Sequence, residues 1–488
     1  MCSNLQRDDS IDRRKRVIVI GAGAAGIAAA ARLLEHGFTN VLILEAENRI
    51  GGRIHSEFIG DAYVDLGAEE VHGQEGNVVA EIAEGFLRKK KPLTESICYY
   101  SDGYKLDSQL TKDVMHLIEE FCEENIKIPR SIGEVFIERF MTSPTLSKYK
   151  QDLEVWKKIS DFLRLCESFF CILEGPFTWQ DVVLESASHY VNCAGDQFMG
   201  FNGRGCKIVL DILMKTLSNV DEQILIHDKI LLNRTVDAIY WDNGYEEGLI
   251  KVTCRDGSSF YAEHVIFTPS AAVLRARQHI FQPSLPPVKK EALKHVSFGT
   301  IMKIVLKFST KWWSSTPIGF VWSKESMDAI YSDYIDAPTM DGQSCVTAIQ
   351  WLIGAPDNDQ VLIALATGPA TIMLETMTND QIKNGVMFVI RKFLGKYYYI
   401  PNPVDVLPTR WFANPNFGGV YSFETVEASK LDVPFQKVLE EPLLGDGQVP
   451  VILFAGEATH LTQYSTVNGA ILSGYREADR LIELYKDE

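Results

Sequence analysis

The sequence predicts an α/β protein: one domain built on a parallel sheet gathered from separated stretches of chain, and a second, α+β domain carried between them. Three observations point there. Near the start, Val17-Ile18-Val19-Ile20 is a β-branched run, followed by a glycine string, an alanine-rich helical stretch from Ile27 to Leu34 and a second apolar run, Val41-Leu42-Ile43-Leu44. Near the end, Val451-Ile452-Leu453-Phe454 leads into Ala455-Gly456-Glu457 and a helical stretch, Ile471 to Leu484. The 488 residues are 46% hydrophobic and 23% charged, which suits two or three globular domains and excludes a disordered or coiled-coil chain.

The first unit is a complete βαβ with G-x-G-x-x-G in its turn. Gly21 permits the tight turn, and Gly23 lets backbone N–H groups approach a pyrophosphate at the positive end of the helix. Ala25 lies in the same turn, and Gly26 lets helix and strand pack closely. Glu45 closes the second strand 19 residues after Gly26, where a carboxylate accepts from an adenosine ribose and repels a 2′-phosphate. Strands on both sides and the terminal acid make this a Rossmann-like dinucleotide site.

The next residues, Glu45-Ala46-Glu47-Asn48-Arg49-Ile50-Gly51-Gly52-Arg53, resemble the E-x-x-x-R-x-G-G-R signature of flavin-dependent amine oxidases. Gly52 permits close backbone approach to the cofactor, and Arg49 and Arg53 can pair with phosphate or lie against the isoalloxazine edge. The strand, Gly456-Glu457 and the helix start Thr466-Val467-Asn468-Gly469-Ala470 resemble that family's C-terminal FAD motif. The resemblance implies that Glu457 meets the ribityl chain and that the helix start at Thr466 and Val467 faces the flavin. Asn468 stands where the family usually has His. By the same resemblance Val236 touches the adenine end through its backbone.

Phe281-x-Pro-x-Leu-Pro286, a helix from Lys289 to His295, then Ile301-Met302-Lys303-Ile304-Val305-Leu306-Lys307-Phe308 are similar to the animal polyamine and spermine oxidases. There the Lys matching Lys303 holds a water against the flavin and relays protons. Gly67-Ala68-Glu69-Glu70-Val71-His72-Gly73 matches a family segment, except that Glu70 replaces a Trp. His72 is the expected partner of a substrate amine, as hydrogen-bond acceptor and proton holder, or else a structural histidine. Glu69 and Glu70 either hold a multiply charged amine or lie on the surface. Trp411 and Tyr421, in Trp411-Phe412-Ala413-Asn414-Pro415 and Gly419-Val420-Tyr421-Ser422, fit a flavin-covering aromatic wall or ordinary core packing.

The resemblance runs from Val17 to Leu484. It implies non-covalent FAD and oxidation of spermine, N1-acetylspermine or spermidine at a secondary amine, with O2 as acceptor. The products are an aminoaldehyde, a shorter polyamine and H2O2. It implies an FAD-binding domain from 13–85, 200–285 and 445–488, and a substrate-binding domain from 86–199 and 286–444. Another amine or L-amino-acid oxidase, or a catalytically degenerate FAD or polyamine sensor, are the alternatives. The last cysteine is Cys345, so the cysteine linkage to FAD of monoamine oxidases is not available.

The remaining signals are weaker. A net charge of −17 argues against nucleic acid and anionic membrane as partners. The nine cysteines, Cys2 among them, show no C-x-x-C spacing, which reads as free thiols in a reducing compartment, with no metal site. Arg13-Arg14-Lys15-Arg16 before the apolar run resembles a signal peptide, but the glycine placement favours the βαβ reading. The ending Tyr485-Lys486-Asp487-Glu488 is no peroxisomal signal, so a cytosolic protein, monomeric or weakly dimeric, is expected. Asp113 to Glu124 and Asp152 to Glu167 read as amphipathic helices walling a substrate cavity, Ile230 to Val236 as a strand, and Arg88 to Lys91 as a solvated charge run.

Overall fold

Strands from the two ends of the chain lie in one sheet, because each is too apolar to stand at a surface. The computed structural model describes residues 15–486, apart from 125–127, 185–187, 218–225, 242–248, 334–338, 341–342 and 357. Cys2, Arg13, Arg14 and Asp487-Glu488 lie outside the described residues. The first sheet runs in the order Leu443–Leu444, Pro450–Phe454, His264–Phe267, Val17–Ile20, Val41–Leu44, Ile230–Leu231. All neighbours are parallel except the first pair. Val17–Ile20 is buried at every residue, as a central parallel strand must be.

The helix Ala24–Glu35 lies along the C-terminal helix Val467–Leu484. Alanines and a glycine make this contact close: a Cβ on Gly474 would stand 2.3 Å from the carbonyl oxygen of Ala25. Both helices begin before the apolar stretches that announce them, the second at an N-cap, Thr466, whose side chain accepts from Gly469 N–H. The expected strand from Ile230 to Val236 is instead two. Asn233 adopts φ +58 and turns the chain, so Ile230–Leu231 joins the parallel sheet. Val236–Tyr240 joins a separate four-stranded sheet with Ser259–Ala262, Ile250–Cys254 and Phe281–Gln282.

The other half is a six-stranded sheet in the order Asp405–Pro408, Ile301–Lys307, Val361–Thr367, Ile349–Gly354, Ile318–Val321, Ile97–Tyr100. It is antiparallel but for its last pair. Helices Ser108–Glu123, Ile132–Thr142 and Leu153–Glu174 cover one face and Asn379–Leu394 the other. Alternation along Ile301–Lys307 sends Met302, Ile304 and Leu306 into the core with Asn379–Leu394, and Val305 toward the three helices. Lys303 shares the parity of Val305, and so faces the residues that follow the hairpin Ser56–Asp65.

The described residues include eight cysteines, and no disulfide joins any two of them. Nor, among these described residues, is there a cluster of His, Cys, Asp and Glu that could hold a metal ion, or a helix long and apolar enough to cross a membrane.

Candidate active site

The dinucleotide cradle is built by backbone. Gly21 adopts φ +101, and a Cβ there would meet the Thr268 hydroxyl at 2.6 Å. A Cβ on Gly26 would lie 2.0 Å from the Gly21 carbonyl oxygen, so strand, turn and helix can close only on hydrogen at both positions. Gly23 is different: a Cβ there would meet no protein atom nearer than 3.9 Å, so protein packing does not require glycine. It is also the N-cap of its helix and supplies no side-chain cap, while Ala25 is buried in the first turn. Room beside an uncapped helix start fits a phosphate. Gly51, at φ +102, bridges back to Gly23, and Gly52, at φ +59, packs against it, where a Cβ would lie 3.3 Å from the Gly23 Cα.

Glu45 is buried and accepts from Ala22 N–H at 2.7 Å and Glu47 N–H at 2.8 Å. Burial raises its pKa and these bonds oppose the rise. A second lone pair on each oxygen suits ribose hydroxyls. Arg49 turns to the carbonyls of Ile50, Gly52 and Ile54 and lies over the Phe417 ring, so it braces the glycine turn. The Val236 carbonyl accepts from Arg277 at 2.7 Å.

Glu457 joins three distant stretches. It accepts from Arg53 at 2.9 Å, the Ser422 hydroxyl at 2.6 Å and Ser465 N–H at 2.8 Å. Arg53 also donates to the Val420 carbonyl at 2.7 Å. A crevice lined by Arg53, Ser270, Phe417, Tyr421 and Glu457 opens at this junction. Nothing in the local sequence marks Ser422 and Ser465 as partners of Glu457. Asn468 is buried and structural: its amide donates to Gln463 at 2.9 Å and its oxygen accepts from Val78 N–H at 3.0 Å. Thr466 and Val467 start the helix on the same side.

The second sheet delivers Lys303 to the loop after Ser56–Asp65. Its Nζ donates to the carbonyls of Asp65 at 2.8 Å and Gly67 at 3.0 Å, and to the Glu69 carboxylate at 2.6 Å. An ammonium has three N–H groups, and all three are used. Gly67 is held from the other side, where a Cβ would lie 1.9 Å from the Arg53 carbonyl oxygen and 3.2 Å from the Trp411 ring. Trp411 is buried and donates to the Leu66 carbonyl at 3.2 Å. Asp65 accepts from Ser56 and Cys206, and burial first, then the Glu69 charge, raise its pKa to about 6.

His72 ends this loop. Its Nδ1–H donates to the Gln197 carbonyl at 2.6 Å, which leaves Nε2 as the free acceptor. Tyr421 donates to the Ile172 carbonyl at 2.8 Å, and burial, with the charges of Glu174 and Glu70 behind it, raises its pKa.

One sequence expectation is corrected here. Lys90, inside the presumed solvated run from Arg88 to Lys91, is half-buried, its side chain 16% exposed. Its ammonium meets Glu69 at 2.5 Å and Glu70 at 3.0 Å. The reason is the short strand Arg88–Lys89, which pairs with Met199–Gly200 and turns the next side chain inward over a glycine: a Cβ on Gly200 would stand 2.7 Å from Lys90 Cδ. Lys303, Glu69, Lys90 and Glu70 thus form one alternating row. Burial alone would raise the Glu69 pKa, but the two ammoniums overcome it and hold this carboxyl well below the usual range. Likewise, burial would lower Lys90, and Glu69 and Glu70 raise it instead.

Residues 24–482 match the model of the family described as flavin containing amine oxidoreductase. A protein named peroxisomal N(1)-acetyl-spermine/spermidine oxidase from Bos taurus is 29% identical, with 99% of this chain and 98% of that protein covered. The protein of that name from Homo sapiens is 30% identical over 96% of this chain and 95% of its own. A solved putrescine oxidase, redesigned in its cofactor binding, superposes with a TM-score of 0.61 at 17% identity, covering 96% of this chain and 99% of its own, which is a likeness of fold. The chain belongs to the flavin-containing amine oxidoreductases, and the flavin that suits a dinucleotide cradle of this shape is FAD.

Proposed function

We propose that this protein oxidises polyamines (spermine, N1-acetylspermine or spermidine) at a secondary amine, with O2 as acceptor, to an aminoaldehyde, a shorter polyamine and H2O2. FAD, when bound, supplies the electron acceptor for the carbon beside a neutral amine nitrogen. One observation carries the reading: Lys303 reaches from the second sheet to the carbonyls of Asp65 and Gly67, and so fixes the His72 loop beside the cradle of the first. The two relatives named for acetylated spermine and spermidine support the choice of amine.

In this reading Gly21, Gly23, Ala25, Gly26, Glu45, Gly52, Arg53, Val236, Glu457, Thr466 and Val467 hold the cofactor, with Arg49 bracing the glycine turn. Trp411 walls the site and Tyr421 bounds its crevice. His72 accepts from the substrate amine at Nε2, held in that tautomer by Gln197. Lys303 positions the loop through the carbonyls of Asp65 and Gly67 and the Glu69 carboxylate. The cofactor body comprises 13–85, 200–285 and 445–488, and the substrate body the rest of 86–444. Thiols that form no disulfide among the described residues suit a reducing compartment, and we place the protein in the cytosol; the word peroxisomal is part of the relatives' names.

The test is anaerobic bleaching of the flavin by spermine, N1-acetylspermine, spermidine and tyramine, wild type against Lys303→Met. Polyamines bleach the wild type and tyramine does not. The variant is slower by about 100-fold or more in reduction or in reoxidation by O2. A wild type that keeps its yellow colour with every polyamine rejects the proposal.

A further inference from the structure

The row Lys303, Glu69, Lys90, Glu70 has two positive and two negative members, so it presents no net charge to an incoming amine. Glu69 and Glu70 alone would be a trap for a polycation. With Lys90 between them they are occupied by an ammonium that the protein itself supplies. Glu70 is the outer member: its side chain keeps 33% exposure, and it lies two residues before His72 in the same loop. Lys90 is held in register by the backbone of Arg88–Lys89 and by the missing side chain at Gly200, so its place in the row is built in.

We propose that Lys90 is a specificity residue that counts charge: it neutralises the two loop carboxylates and thereby favours amines with an uncharged arm, such as an acylated polyamine, over fully charged ones. The inference rests on the polyamine reading and deepens it. Lys90 acts through Glu69 and Glu70, so it is a positioning residue. Replacing its ammonium by a methyl end removes one positive charge from beside Glu70, and the site becomes one unit more negative. A polyamine with one more ammonium then gains, and its acetylated counterpart, with that nitrogen neutral, does not.

The experiment compares kcat/KM for spermine and N1-acetylspermine in holoprotein of equal flavin content. Lys90→Met should raise the spermine-to-acetylspermine ratio about tenfold, through KM more than kcat. Lys90→Arg should keep the wild-type ratio, and Lys90→Met combined with Glu70→Gln should return toward it. Glu70→Gln alone makes the site one unit more positive and should lower the ratio, which gives a test of opposite sign should Lys90→Met not fold. Inhibition by 1,8-diaminooctane and octylamine, equal in length and different by one ammonium, should shift in the same directions. Lys89→Gln, which deletes an equal charge from a surface pair with Asp196, should leave the ratio alone. An unchanged or lowered ratio in Lys90→Met, or an unchanged one in Glu70→Gln, overturns the inference while the polyamine reading stands. A flavin-loaded wild type inert to both amines overturns the two together.

Discussion

Lys90 and Lys289 are both largely withdrawn from water and are held in opposite ways. Lys90 sits between Glu69 and Glu70, and its proton is held more tightly than usual. Lys289, 3% exposed on the helix Pro287–His295, has two backbone carbonyls, of Val438 at 2.8 Å and Leu439 at 2.9 Å, with the Phe454 ring 4.2 Å from its nitrogen. Those neighbours carry no full charge, and burial, only partly offset by Glu441 and Glu477, lowers its pKa to about 7. Depth alone therefore does not decide whether a lysine stays charged. The partner does: a carboxylate at contact repays the loss of water, whereas carbonyls and a ring repay part of it.

The largest effect that could break this comparison comes from Glu69→Gln. It removes the one carboxylate shared by Lys303 and Lys90, leaves Lys303 with carbonyls alone and Lys90 with Glu70 alone, and should cost about 3–5 kcal/mol of holoprotein stability in urea denaturation. A cost below about 1 kcal/mol would mean that the row is as well hydrated as a surface pair. Next comes Lys289→Met. Between its folded pKa of about 7 and its ordinary 10.5, only the unfolded chain binds the proton. Lys289 therefore makes stability climb with pH across that window, by up to about 1.4 kcal/mol per pH unit; the gain is complete above 10.5 and is lost as pH falls to about 7. The variant should flatten that slope in denaturation midpoints measured through the window. Smallest is Lys89→Gln: its pair with Asp196 is exposed, and the midpoint should not move.

The cradle was legible because its parts are local. Strand, glycine string, helix and Glu45 fall within a few dozen residues, and each residue type there has a backbone reason. Lys303 was legible through its alternating strand and the flanking motif. Lys90 was not: within Arg88 to Lys91 every residue is a cation, so no hydrophobic pattern tells which one turns inward. The features that turn it are Glu69 and Glu70 some 20 residues earlier and Gly200 more than 100 later. The helix Ile132–Thr142 escaped for a related reason, since its neighbours in sequence gave clearer stripes. Ile230 to Val236 looked continuous because Asn233, at φ +58, carries its turn in one residue without glycine or proline.

The Glu457 junction sets an order of events during synthesis. Its donors are Arg53, Ser422 and Ser465, and the strand preceding it must slot beside His264–Phe267. Arg53 and Glu457 are 404 residues apart, so Arg53 waits for that much more chain before it meets its carboxylate. Until Pro450–Phe454 has been made, the edge of His264–Phe267 that receives it lacks that neighbour.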